Sequence, residues 1–148
     1  MANTQGMAVS FKQDLLNGVH AFSAAYRAAD TFKAALYVTT ATLSSATTAY
    51  SVTNELTGTN YVAGGTTVVN ATAPTTSGTT AYWTPSGNFV WTTLTSTNAF
   101  DTALVYNSTS TGKNAVSVHT FGAQSITAGT FTLTMPSNTA GSALINLA

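Results

Sequence analysis

Charge and cysteine are what this 148-residue chain has least of. Four Lys or Arg and four Asp or Glu make up 5% of its residues, the formal net charge is zero, and cysteine is absent. An average globular chain has about 25% charged residues. Four scattered cations cannot form the basic patch that binds nucleic-acid phosphates or anionic lipid headgroups. Disulfides and cysteine-ligated zinc sites are excluded. We therefore expect no nucleic-acid and no membrane partner.

The remaining composition is that of a folded domain whose surface favours association. Hydrophobic residues are 44% of the chain, enough for a single core at this length. No run approaches the roughly 18 apolar residues of a membrane span, and the first residues do not resemble a signal peptide. A net charge near zero promotes association, and Thr-rich strands with few charges have weak protection against edge-to-edge pairing. We expect its edges and faces to be covered in an oligomer or a larger particle.

The N-terminal region, residues 1–29, reads as a helical arm. Ser10–Phe22 is predicted to be a helix because apolar residues recur there at helical spacing. Ser10 followed by Gln13 suggests a capping box, while Asn17-Gly18 could end the helix early. The Ala-rich run Ala21–Ala29 could continue as a second helical piece. The predicted apolar stripe consists of Phe11, Leu15, Val19 and Phe22.

From residue 30 to residue 148 the pattern changes to that of a β domain. Apolar residues alternate from Phe32 to Val38, as in a half-buried strand, and each later gap between apolar runs carries turn residues. We predict a mainly β, antiparallel β-sandwich or jelly-roll-like domain of about seven or eight strands. Further strands are expected at Thr66–Asn70, Thr80–Thr84, Phe89–Leu94, Ala99–Tyr106, Ala115–Phe121, Thr130–Met135 and Ala143–Leu147.

Few residues could carry a reaction. A catalytic site would need the acids Glu55 and Asp101 to converge with His119, and no sequence motif requires that they do. The chain has no nucleophile elbow, no phosphate-binding loop and no spacing typical of metal ligands. We predict a protein that is not an enzyme and has no catalytic residue, no metal site and no cofactor.

The aromatic residues leave two interpretations open. Trp83 and Trp91 flank the turn Pro85–Asn88, and side chains near loop tips often serve in recognition. The simpler interpretation is that they pack in the core. If Trp83 and Trp91 are exposed on one flat patch, they could form an interface anchor. Together with Tyr61, they could also form a platform on which sugar rings stack. The helical stripe has the same ambiguity, because it must bury either on its own sandwich or on a neighbour. The candidate interface residues are Phe11, Leu15, Val19, Phe22, Trp83 and Trp91.

Six short runs along the chain form a recognisable pattern. They are Asp30–Tyr37, Thr53–Gly58, Tyr61–Gly65, Ala103–Ser108, Phe121-Gly122 and Thr127–Thr130. The pattern resembles a family of small virion structural proteins of tailed bacteriophages, over roughly Phe11 to Leu147, with Ser23–Ala29 as an insertion. Its motifs are loose, hydrophobic and glycine-based. The resemblance implies a β-sandwich protein of the capsid decoration (cement) type or of the tail or fibre type, without catalytic residues.

Composition and resemblance together lead to one expected function and two alternatives. We expect a capsid decoration protein that binds the major capsid protein and copies of itself, as a homotrimer, and stabilises the head shell. Such a protein lies on the capsid exterior of the virion, is made in the host cytoplasm and is not secreted. The first alternative is a tail, fibre or adaptor component. The second is a carbohydrate-binding β-sandwich module.

Overall fold

The computed structural model describes residues 2–68 and 72–148. These residues form a mainly β fold with one short helix and eleven strands in three antiparallel sheets, so the predicted antiparallel β class is confirmed. The helix is α1 Val9–Leu16. The strands are β1 Gly6–Met7, β2 Phe32–Val38, β3 Gly58–Thr59, β4 Thr66–Thr67, β5 Thr75–Ser77, β6 Thr80–Trp83, β7 Phe89–Ser96, β8 Phe100–Asn107, β9 Ala115–Gln124, β10 Gly129–Leu133 and β11 Ile145–Leu147.

The largest sheet has the strand order β1–β9–β8–β2–β4 and contains the centre of the core. Its central strands β2 and β8 pair antiparallel, with Ala34 opposite Val105. The alternation in β2 predicted a half-buried strand, but Ala35 and Tyr37 are buried as well. Both faces of this strand are therefore covered, as the nearly continuous apolar sequence of β8 also indicates.

Two three-stranded sheets complete the fold, with the orders β10–β7–β3 and β11–β6–β5. In β7 the side chains of Phe89, Trp91 and Leu94 are buried, while those of Val90 and Thr92 are exposed. Residues Phe89–Thr92 alternate with the period of two of a strand with one covered face, and an extra residue in β7 shifts the phase before Leu94. The register between β7 and β10 shifts between Gly129 and Phe131.

Every predicted strand position contains an observed strand, but the strand number is higher than predicted. The first seven-residue strand, Phe32–Val38, has the predicted limits. The prediction Thr66–Asn70 overlaps β4, and its last two residues lie outside the described residues. The three unpredicted strands, β1, β3 and β5, are two or three residues long. Segments as short as these carry no alternation of apolar residues, so the sequence pattern does not indicate them.

The N-terminal region differs most from its prediction. Helix α1 ends at Leu16 because Gly18 takes a φ of 67°, which glycine adopts without steric cost. Ala8 occupies the N-cap and no side-chain cap is formed, so the predicted capping box is wrong. Residues 22–27 form bends, and no residue of the run 21–29 is helical.

The predicted helical arm is also not separate from the β domain. Strand β1 pairs with β9 in the large sheet. The Ala8 N–H donates to the Val116 carbonyl at 3.0 Å. The start of the predicted arm is therefore hydrogen-bonded to strand β9 of the predicted β domain.

Candidate interaction surface

Four of the six predicted interface residues lie in the core of this chain. Phe11, Phe22, Trp83 and Trp91 are 0%, 9%, 2% and 5% exposed. The interface prediction is corrected for these four, because their rings are covered by the chain's own strands and helix. The structure instead shows the other interpretation, in which these side chains are buried within the chain's own domain.

Aromatic contacts explain this burial. The rings of Phe22 and Phe32 are stacked, with centroids 4.7 Å apart, and Trp83 lies 4.6 Å from Phe22. Phe11 reaches the same cluster through His20, at 4.9 Å. The Trp83 indole N–H donates to the Thr72 carbonyl at 2.8 Å, which satisfies its polar group inside the core. Of the four residues of the predicted stripe, Phe11 and Phe22 face inward, whereas Leu15 and Val19 are partly exposed and the helix already ends at Leu16.

A buried carboxylate fixes the loop 18–30 that carries Phe22. Asp30 is 4% exposed and accepts hydrogen bonds from the Ala21 N–H at 2.7 Å and the Asn107 amide at 2.8 Å. The Arg27 guanidinium donates to both of its oxygens, at 2.9 and 3.0 Å. Burial alone would raise the pKa of Asp30. The hydrogen bonds and the Arg27 charge outweigh burial and hold this pKa below its ordinary value.

His20 lies beneath this loop. Its side chain is fully buried, and its Nδ1 lies 3.2 Å from the Asn107 amide nitrogen. Its Nε2 has no hydrogen-bond partner among the described residues and lies 3.8 Å from an Asp14 oxygen. Burial lowers the pKa of His20, although Asp14 and Asp30 oppose the shift. The ring is therefore neutral at pH 7 and packs as an aromatic residue.

The outer side of the same loop is apolar and open to solvent. A groove of about 590 Å³ runs beside it, lined by residues that include Phe22, Tyr26 and Pro74. A second groove of about 190 Å³ shares Phe22 and Pro74, and Leu15 and Leu147 also line it. Tyr26 is fully exposed and Leu147 is 44% exposed. We call these two adjoining depressions the apolar groove.

Leu15 is thus the one predicted interface residue that lines the apolar groove while remaining partly exposed. Val19 is also partly exposed but does not line either depression. Sequence reasoning missed Tyr26, Pro74 and Leu147. Tyr26 lay in a run predicted to be helical. Leu147 lay in a predicted strand, and the sequence does not indicate which elements pack against that strand and leave Leu147 exposed.

The acidic residue Glu55 belongs to a different, buried cluster that the sequence did not indicate. Its Oε2 accepts from the Tyr50 hydroxyl at 2.6 Å, and its Oε1 accepts from the Tyr61 hydroxyl and the Gly64 N–H at 2.8 and 2.7 Å. Tyr106 donates to the Gly64 carbonyl at 2.8 Å. Burial, reinforced by the Glu55 charge, raises the pKa of Tyr106 to about 12. This network ties the turns of residues 50–65 to the large sheet.

The groups that an enzyme would need have separate partners. Glu55 is bound within the tyrosine cluster, whereas Asp101 accepts from the Asn3 amide at 2.7 Å. His119 contacts the Ser117 hydroxyl at 2.8 Å. In the part of the chain that the structure describes, no three His, Asp or Glu side chains are grouped as metal ligands. No helix within residues 2–68 and 72–148 has the length and apolar character to cross a membrane.

Comparison with known proteins adds no relative. No family model matches the chain, and no curated protein or solved structure is significantly similar to it. The function must therefore be argued from the chemistry and geometry of the chain itself, with the apolar groove as its most distinctive exposed feature.

Proposed function

We propose that this chain is a virion structural protein of a tailed bacteriophage, a capsid decoration protein that binds the major capsid protein and stabilises the head shell. The observation that carries the proposal is the apolar groove, an exposed hydrophobic depression on a protein with almost no charge. Exposed apolar side chains that adjoin in one depression are a candidate surface for a partner to cover. Its burial supplies association free energy that changes little with salt, since few ion pairs take part.

The proposed anchor differs from the one that the sequence favoured. The inward side of the N-terminal segment, with Phe11 and Phe22, holds the domain together. The outward side, with Leu15 and Tyr26, is free to bind a neighbour. A decoration protein with this arrangement stabilises the shell by mass action, because bound copies favour the assembled state.

We also propose that the large sheet and the β10–β7–β3 sheet pack face to face as a β-sandwich, which is the fold that the resemblance implies. Phe131 of the β10–β7–β3 sheet lies 5.0 Å from both Phe100 and Phe121 of the large sheet. Ring contacts of this kind join the inner faces of two sheets. The jelly-roll connection and the homotrimer remain predictions.

Particle binding tests the anchor. The double variant Tyr26→Ser, Leu147→Ser removes two exposed apolar side chains of the groove, and we expect its occupancy on purified heads to fall at least tenfold. The matched control is Val52→Ser, Val62→Ser, which removes two side chains that are 68% and 73% exposed elsewhere. Unchanged occupancy of the groove variant would refute the anchor.

Antibody labelling of intact virions tests the location. Label distributed over the head supports the decoration role, and label confined to the tail supports the tail, fibre or adaptor alternative. The carbohydrate-binding alternative is less favoured because Trp83 and Trp91 are buried and present no flat patch for stacking. Glycan-array binding that is lost on Tyr61→Ala would revive it.

A further inference from the structure

Strand β10 leaves one edge of its sheet open. It pairs with β7 on one side, and no described strand lies on its other side. Within residues 2–68 and 72–148, no backbone hydrogen bond outside this strand pair involves Gly129–Leu133. An unpaired antiparallel edge presents the N–H and C=O groups of alternate residues, which form a template for a further strand.

This edge lacks the features that protect natural edge strands. Lys, Pro, inward-pointing charges and bulges usually prevent such pairing. The segment 129–135, Gly-Thr-Phe-Thr-Leu-Thr-Met, has no charged residue and no Pro before Pro136. The register shift in this sheet leaves two residues of β7, Thr92 and Thr93, opposite Thr130 alone, so the extra residue lies in β7. The outer edge of β10 is therefore regular.

The inner face of β10 is incompletely covered. Phe131, Leu133 and Met135 point toward the core but are only partly buried, while Thr130 and Thr132 are exposed. An added strand would extend the covered face along the edge and remove more of these three side chains from water. Burial of apolar area and new backbone hydrogen bonds would then act together.

We propose that the outer edge of β10 pairs antiparallel with β10 of a second copy of this chain, about a two-fold axis at Thr132. This register is self-complementary. Thr132 faces its own copy, Thr130 faces Thr134, and Phe131 faces Leu133. Thr–Thr and aromatic–aliphatic pairs are favourable across strands. At a two-fold axis, a charged side chain would lie opposite the same charge on the second copy and be repelled. The segment 129–135 has no charged residue, so this repulsion does not arise.

The pairing would join two three-stranded sheets into one of six strands, β3–β7–β10 continued by the same strands of the second copy. None of its residues lines the apolar groove, and it does not rest on the virion proposal. A trimer cannot close through a two-fold contact alone. If the predicted trimer also forms through another face, the closed assembly is a hexamer.

The test is the mass of the full chain in solution from 1 to 200 μM, by sedimentation equilibrium. We expect a dimer or a hexamer. Thr132→Lys places two like charges at the axis, and we expect it to weaken the two-fold contact at least tenfold. Thr132→Val, neutral and β-branched, should keep the contact. Thr92→Lys is the matched control, because it makes the same change on an exposed residue of the adjacent strand β7.

Cross-linking tests the register. Because the chain has no cysteine, Thr132→Cys would form a disulfide across the axis, where opposed Cα atoms lie within the range that a disulfide spans. An exposed control, Ser137→Cys, should cross-link much more slowly. A monomer at 200 μM, a trimer unaffected by Thr132→Lys, or equal cross-linking of the two cysteine variants would overturn the proposal. So would a monomer whose Thr132→Lys variant loses particle binding, since the edge would then receive a strand of another protein.

Discussion

The ring of Phe22 is stacked on the ring of Phe32, with the two planes 5° apart. Phe22 comes from the irregular loop after α1, whereas Phe32 is the first residue of strand β2 in the large sheet. This contact attaches the N-terminal segment to the β domain. It also explains why Phe22, a residue of the predicted apolar stripe, is part of the core.

Loss of this ring should destabilise the whole domain. We expect Phe22→Ala to lower the free energy of unfolding by about 3–5 kcal/mol, through lost burial and the cavity that remains. Urea unfolding followed by Trp fluorescence would measure the change, since Trp83 lies in the same cluster. Leu16→Ala is the control, because Leu16 is 92% exposed, and its effect should stay within about 0.5 kcal/mol. Equal effects of the two variants would contradict the described packing.

The strands were predictable where apolar residues alternate or run together. Phe32–Val38 has its predicted limits because alternation and the turn residues on either side agree. The sequence did not indicate the pairing of Gly6–Met7 with β9, because two residues have no period. The sequence also could not decide whether Phe22 packs in the core of this chain or against a neighbouring protein. That choice depends on where Trp83 lies, and Trp83 is 61 positions away in the chain.

The candidate site was predictable only in part. Leu15 was found because it belongs to a helical stripe. Tyr26, Pro74 and Leu147 come from three distant segments, and only the fold brings them to one groove. The Glu55 cluster was missed for a similar reason. The groups that donate hydrogen bonds to Glu55 come from segments that no local sequence pattern connects.

The Glu55 carboxylate should contribute measurably to stability. Glu55→Gln keeps the size of the side chain but removes the charge that strengthens three hydrogen bonds. We expect a loss of about 1–3 kcal/mol in the free energy of unfolding. Tyr50→Phe should cost about 1 kcal/mol, and the double variant should cost less than the sum, since Tyr50→Phe removes a hydrogen bond that Glu55→Gln has already weakened. Strict additivity would show that the Tyr50–Glu55 bond does not contribute.

Acid should weaken the fold through its histidines. Burial lowers the pKa of His119 to about 4 and also lowers that of His20, while an unfolded histidine titrates near 6.5. As the pH falls from 6.5 toward 4, the unfolded chain takes up protons that the folded chain does not. The free energy of unfolding should therefore decrease, by at most about 1.4 kcal/mol per pH unit for each histidine.

Substitution of His119 tests this account. His119→Gln retains a polar group for Ser117 and should reduce the pH dependence between pH 6.5 and 4.5, with the remaining slope due to His20. Urea unfolding at four pH values across this window would measure both slopes. Identical slopes for the variant and the original chain would exclude His119 as the group responsible.

Gly65 should be among the least replaceable residues of the chain. Its φ is 71°, and a Cβ at this position would overlap the carbonyl oxygen of Ala34 in the adjacent strand β2. Gly65→Ala therefore combines backbone strain with a steric clash at the centre of the large sheet. We expect a loss of more than about 3 kcal/mol in the free energy of unfolding.

A matched glycine separates the two effects. Gly78 also has a positive φ, 57°, but a Cβ there would meet no atom within 4 Å. Gly78→Ala should thus cost only the strain of the left-handed conformation, about 1–2 kcal/mol. Thermal unfolding of both variants, with retention of β-sheet circular dichroism as the check on folding, would measure the difference. If Gly65→Ala were no more harmful than Gly78→Ala, then the turn of residues 61–65 would not approach β2 as closely as described, and the attachment of Glu55 to the sheet would have to be reconsidered.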